Sequence, residues 1–201
     1  MPIDLDDLLD PASCAVLTHE LQASIVGEST SLPLLAEQTR PIFEPTRLLL
    51  AGARAAGVPV VHNVKGDDAV PDARPNSPLA SAMARMGAAT DPRVIADIGP
   101  EASDITIERH HGVSAFPGTE LDAVLRLLGV DTIVATGVSV NVGIFALTVD
   151  AVSRGYRVVV ATDAVSGTPA DYAQAVLDNS LSVLATQLTT QQILDIWSSR
   201  S

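Results

Sequence analysis

Glu20, His62, Lys65, Arg109, His110 and His111 are the side chains best suited to move protons or hold charge, and each follows a short apolar run. A carboxyl group such as Glu20 at the end of a buried strand is a general acid or base near neutral pH when its surroundings are dry. The plainer alternative for it is a solvated carboxylate paired with Arg109 or Lys65. All four histidines, His19, His62, His110 and His111, sit where strands are expected to end, which gathers them in one crevice. The bland reading of His19 and His62 is that of half-exposed loop histidines. Ser114 and Ser139 carry hydroxyls, but neither lies in a Gly-x-Ser-x-Gly elbow with an orienting base nearby. Ser139, in Gly137-Val138-Ser139, is expected to offer backbone N–H groups rather than its hydroxyl. A metal centre drawn from Glu20, His62, His110 and His111 is a third alternative; it fits no dedicated zinc spacing, because adjacent residues on a strand point to opposite faces. No metal and no cofactor is expected.

The elements that would position these residues alternate along the chain. Cys14–Thr18 reads as a first strand, Val58–Val64 as a second, Ile105–Arg109 as a third, Thr132–Thr136 as a fourth, Tyr156–Ala161 as a fifth and Ser182–Thr186 as a short sixth. Helical patterns fill the gaps: a long one broken near Pro41 and Pro45 and resuming to Ala56, then Leu79–Met86, Glu120–Leu128, Asn141–Ser153, a helix opened by Pro169, and a closing one around Thr190–Trp197. Gly57, Gly129 and Gly155 punctuate the ends. Residues 66–78, rich in turn formers, read as a surface excursion able to fold over a site. Strict alternation of strand and helix predicts an α/β fold, a three-layer α-β-α sandwich around a doubly wound parallel sheet of about six strands. Its centre is Thr132 to Ile144, an apolar strand running through Gly137-Val138-Ser139 into a helix that carries Asn141 and Gly143. In open parallel sheets such a junction faces the ligand crevice.

Composition narrows the rest. With 24 acidic and 12 basic residues the net charge is −12, which argues against nucleic acid and anionic membranes as partners. A 47% hydrophobic fraction excludes disorder, and only 3% of residues are aromatic, so aliphatic side chains must build the core. The lone Cys14 cannot form an internal disulfide and reads as a small buried apolar residue. No apolar stretch is long enough to span a membrane, and the acidic beginning lacks the basic region of a signal peptide. These features predict one domain over residues 1–201, located in the cytoplasm, acting on a small molecule.

Ser114 to Gly143 (SAFPGTELDAVLRLLGVDTIVATGVSVNVG), Gly155 to Gly167 (GYRVVVATDAVSG) and Glu20-Leu21-Gln22 resemble the isochorismatase-like (cysteine hydrolase) superfamily of isochorismatases, nicotinamidases and carbamoyl-type amidases. Members usually carry an Asp, Lys and Cys triad. Matched position by position, the resemblance puts the Asp on Glu20, the Lys on His110, with Arg109 beside it, and the Cys on Gly143. It also implies a cis peptide between Val138 and Ser139, aiming N–H groups at a developing oxyanion. Without a thiolate there is no thioester, which excludes Cys-dependent amide hydrolysis. Isochorismatases themselves carry glycine at that position and cleave a vinyl ether without a covalent intermediate. The resemblance therefore implies a non-covalent hydrolase acting on a vinyl ether or a related carbonyl or anionic substrate. Glu20 and His110 would be catalytic, and Arg109, His111, Phe116, Val138, Ser139, Asn141, Gly143 and Lys65 would bind substrate, with Arg109 or Lys65 restoring the lysine's charge. A catalytically silent binding protein on the same fold is the alternative. Dimers or tetramers are expected by the same resemblance.

Overall fold

Nine helices and six strands alternate through residues 3–68, 74–86 and 90–199, which a computed structural model of the chain describes. The strands are β1 Cys14–His19, β2 Val60–Lys65, β3 Ile105–Arg109, β4 Thr132–Val138, β5 Arg157–Ser166 and β6 Thr186–Leu188. They form one sheet in the order β3-β2-β1-β4-β5-β6, and every pairing is parallel. The helices are α1 Leu5–Leu8, α2 Ala23–Val26, α3 Pro33–Thr39, α4 Phe43–Ala55, α5 Pro78–Met86, α6 Leu121–Leu127, α7 Phe145–Ser153, α8 Ala170–Asn179 and α9 Thr190–Ser198. This is the three-layer, doubly wound α/β arrangement that the alternation predicts. None of the helices among the described residues is long and apolar enough to cross a membrane.

The pleat sorts each strand between two cores. On one face Cys14, Val16, Val60 and Val134 pack under Leu49, Leu50 and Ala53 of α4 and Ile193 and Trp197 of α9. On the other, Ala15, Leu17, Val61, Ile107 and Ile133 pack under Leu121 and Leu125 of α6, Leu147 of α7 and Val176 of α8. Central strands buried on both sides need apolar residues at consecutive positions, so these runs carry no alternation by which the sequence alone could assign a side chain to a face.

Several boundaries differ from the sequence reading. The strand expected at Ser182–Thr186 begins only at Thr186, because Leu181–Val183 forms a single tight turn that buries Leu181. β5 runs on to Ser166, past a register shift against β4 between Ala135 and Gly137. The helix expected from Asn141 opens instead with a π-helical turn, Val140–Ile144, before α7; such turns recur at functional sites. Asp163, within β5, accepts hydrogen bonds from the backbone N–H (2.7 Å) and hydroxyl (3.0 Å) of Thr190, holding the start of α9. Part of the 66–78 excursion, residues 69–73, lies outside the described residues.

Candidate active site

At the carboxyl end of β1 the chain turns sharply. Glu20 takes φ 55°, the one non-glycine in the left-handed region among the described residues, a conformation that costs about 1 kcal/mol or more and marks sites of function. Its N–H donates to the Asn63 carbonyl at 2.9 Å, which keeps the turn tied to β2. Gln22, fully buried, completes the tie. Its amide accepts from the Lys65 N–H at 2.6 Å and donates to the carbonyls of Lys65 (2.9 Å) and Asp91 (3.0 Å) and to Ser24 Oγ (2.9 Å). Gln22 therefore serves the backbone frame.

The turn aims the Glu20 carboxylate at Arg109. One guanidinium nitrogen of Arg109 donates to Glu20 Oε1, while another donates to the carbonyls of His111 (3.2 Å) and Gly112. Arg109 is buried at 2% exposure, whereas the Glu20 side chain keeps 18%. The carboxylate is thus the more accessible member of the pair.

His110 stands elsewhere, a correction to the sequence reading. Ile107 and Arg109 face the core, so the pleat turns Glu108 and His110 outward; the His110 ring is 44% exposed and its Nδ1 lies 2.7 Å from the Asp67 carbonyl. The positive charge beside the carboxylate is that of Arg109. Lys65 is also directed away, its Nζ held by Gly66 O (2.5 Å) and Asp68 (2.9 Å). His111 contributes its carbonyl and leaves its ring exposed against Gly118. Phe116 lies in the core, 5.9 Å from the Tyr156 ring and under the Arg154 guanidinium, so it packs rather than lining the turn. His62 belongs to the opposite face. Its Nδ1 is 2.7 Å from Thr18 Oγ1 and its Nε2 3.0 Å from Asp104, which in turn holds Arg54 at 2.6 Å. The four histidines do not share a crevice, and among the described residues no group of three metal-ligating side chains comes together.

His19 is the residue that the sequence reading undervalued. Far from being half-exposed, it is fully buried on the α6–α7 face, and its Nδ1 lies 2.8 Å from the Val138 carbonyl and 3.9 Å from Glu20 Oε2. Burial pushes its pKa below the ordinary 6.5, with Arg109 adding to the effect; Glu20 and the backbones of Val138 and Val113 oppose without reversing it. Beyond Val138 the peptide to Ser139 is cis, as the resemblance implies. Ser139 Oγ then donates to Asn141 Oδ1 at 2.6 Å, and Asn141 Nδ2 reaches the Thr168 carbonyl at 3.3 Å. These two side chains brace the turn against the loop before α8.

Gly143 lies in the π-helical turn with its Cα against the His19 ring. A Cβ there would stand 2.6 Å from His19 Cε1, 2.8 Å from Nδ1 and 3.1 Å from the Val138 oxygen. No real side chain tolerates such distances, so the imidazole occupies the place that a side chain at 143 would need. Gly137, at φ 112°, is required for a similar reason, since its Cα abuts the His19 backbone where β4 passes β1.

Residues 14–192 match the family model described as an isochorismatase domain. The chain is 32% identical over 101 residues to an uncharacterized isochorismatase family protein of Bacillus subtilis, YwoC, spanning 50% of this chain and 53% of that one. It is 30% identical over 176 residues to the ureidoacrylate amidohydrolase RutB of Methylobacterium radiotolerans, covering 78% of this chain and 68% of the relative. A crystal structure of a cysteine hydrolase from Pseudomonas syringae pv. phaseolicola 1448A superposes with a TM-score of 0.81 at 25% identity, covering 100% of this chain and 97% of that one.

Proposed function

The chain belongs to the isochorismatase family of hydrolases, and from that premise we propose that it cleaves its substrate by direct addition of water, without a covalent cysteine intermediate. The observation that carries this reading is the His19 imidazole standing where a side chain at 143 would be. A thiol cannot be placed there without moving the ring. The only cysteine, Cys14, is buried at the opposite end of β1, its sulfur 3.4 Å from the Leu8 carbonyl.

The acid/base machinery is built on Glu20. Its carboxylate retains access to solvent, its ion pair with Arg109 is a contact of the ionised form, and its second oxygen faces His19. A carboxylate so held is suited to proton transfer during the addition of water to a carbonyl carbon, or to a vinyl ether once its double bond has been protonated. The substrate class is a small carbamoyl, amide or vinyl-ether compound. RutB, named for hydrolysis of ureidoacrylate, supports the carbamoyl end of that range.

Purified protein would be assayed against ureidoacrylate, N-carbamoyl amino acids, simple amides and vinyl ethers. Glu20→Gln is expected to lower kcat about 1,000-fold, near the middle of the range for a lost acid/base group. Iodoacetamide should leave wild-type turnover unchanged. Undiminished turnover by Glu20→Gln, or complete inactivation by the alkylating agent, would remove the reading.

A further inference from the structure

Three buried side-chain atoms on β1, β2 and β3 have no hydrogen-bond partner among the described residues: His19 Nε2, Asn63 Oδ1 and Arg109 Nε. One other atom shares this state, Thr132 Oγ1, at the far end of β4. Orphaned buried polar atoms are uncommon and each calls for a reason. Three on neighbouring strands call for a common one.

The register places them together. His19 pairs with Asn63 across β1 and β2, and Asn63 pairs with Ile107 across β2 and β3, so their side chains share one face. Arg109 is two residues beyond Ile107 on that same face. It reaches Glu20 at the end of β1 from β3, with β2 lying between them.

The chemistry of each atom is fixed by its neighbours. The Val138 carbonyl can only accept, so Nδ1 of a neutral His19 carries the proton and Nε2 presents a lone pair. The backbone of Val113 also lies against the ring and favours its protonated form, without the geometry of a full hydrogen bond to Nε2. Asn63 Nδ2 donates to the Ile107 carbonyl at 3.3 Å, which leaves Oδ1 as an acceptor. Arg109 Nε–H is a donor. Two acceptors and one donor are the complement of a single water molecule, which offers two hydrogens and accepts once, with one lone pair left over.

We propose that His19 Nε2, Asn63 Oδ1 and Arg109 Nε hold one water molecule and that this water is the attacking nucleophile, with His19 as its base. The proposal rests on the hydrolase reading above and assigns the group that contacts the water. As the water oxygen bonds to the carbonyl carbon of the substrate, the C=O π pair moves onto the carbonyl oxygen, one O–H bond of the water breaks and that proton passes to Nε2. The imidazolium so formed is faced by the Glu20 carboxylate and the Val138 carbonyl, with Arg109 opposing. When the oxyanion re-forms the carbonyl, the bond from carbon to the leaving nitrogen or oxygen breaks with its electron pair, and the imidazolium returns that proton to the leaving atom. Glu20 then acts on the water through His19, as the counter-charge of a Glu–His dyad.

Nitrogen-15 NMR of the wild-type protein at pH 7 tests the site without any substrate. The expected result is a protonated Nδ1 and an unprotonated Nε2 on His19, with magnetisation transfer from a long-lived water to the ring. A proton on Nε2, or no bound water, overturns the proposal. With a substrate from the panel, His19→Gln is expected to lower kcat about 100-fold or more while its melting profile stays cooperative. It should also abolish the fall of wild-type kcat on the acid side of neutrality. Asn63→Leu should lower kcat about 10-fold. If His19→Gln keeps wild-type kcat while Glu20→Gln is inactive, the dyad is wrong and the hydrolase reading survives; if neither variant loses turnover, both fall.

Discussion

Two polar clusters lie on opposite faces of the same pair of strands, one residue apart. Thr18 and His62 face α4, where Thr18 Oγ1, His62, Asp104 and Arg54 form an unbroken chain, with Asp104 also accepting the Glu101 N–H at 2.8 Å and Arg54 donating to Gly99 O at 3.1 Å. His19 and Asn63 face the other way, where Glu20 and Arg109 join them and three buried atoms find no partner among the described residues. Both clusters hold a histidine whose pKa burial pushes down. They differ in saturation. A fully satisfied buried network contributes stability and specifies one packing, whereas unsatisfied donors and acceptors cost stability and are retained where something must be bound.

The contrast can be broken in order of expected effect. Arg54→Ala strips the partner from Asp104, whose side chain is 3% exposed. Burial alone would raise the Asp104 pKa, but Arg54, the Glu101 N–H and His62 together hold it below the ordinary carboxylate value. The variant should lose about 3 kcal/mol of stability in urea unfolding, in line with uncompensated buried charges, with kcat within a few-fold of wild type. A large loss of kcat with unchanged stability would reverse the roles assigned to the two clusters.

Gly143→Ala should cost about 2 kcal/mol by overpacking against the His19 ring. The double variant His19→Ala, Gly143→Ala should lose less than the sum of the single changes, because removing the ring makes the room that the new methyl needs. Strict additivity would mean that His19 does not occupy the place of a side chain at 143.

The smallest effect is on pH dependence. His19 and His62 both have pKa values lowered from 6.5 in the folded protein, so below that value the unfolded chain binds protons that the native state resists. Stability is therefore present above about pH 6.5 and is lost as pH falls toward the folded values. Between pH 7.5 and 5.5 the urea midpoint should decline, and His62→Gln should flatten that decline. A midpoint that rises toward pH 5.5 would contradict the neutral state assigned to both rings.

Much of this was legible in the sequence, and what was missed has a physical cause. The β-branched runs and their glycine stops mark the strands, and the Gly-Val-Ser turn and Gly143 mark the end of β4 and the tight helical turn that follows it. Motif spacing matched the family lysine to His110 and left its charge to Arg109 or Lys65, and the pleat decides between those two. With Ile105 and Ile107 inward, Arg109 is the next residue on that side, and the alternation in Ile105–Arg109 could have revealed it. His19, His62 and Asn63 left no such trace. Their strands are apolar at successive positions because both faces are covered, so neither burial nor side can be read from periodicity. The unpartnered atoms are invisible in any sequence, since saturation is a property of neighbours spread over three strands.

The most direct measurement makes one substitution on each side of the sheet and reads stability and turnover together. His62→Gln is expected to lose about 2 kcal/mol with kcat nearly intact, and His19→Gln to lose about 100-fold or more in kcat with a smaller loss of stability. If His62→Gln were the variant that stopped turnover, or if His19→Gln kept wild-type kcat, the division between a structural face and a working face would be wrong.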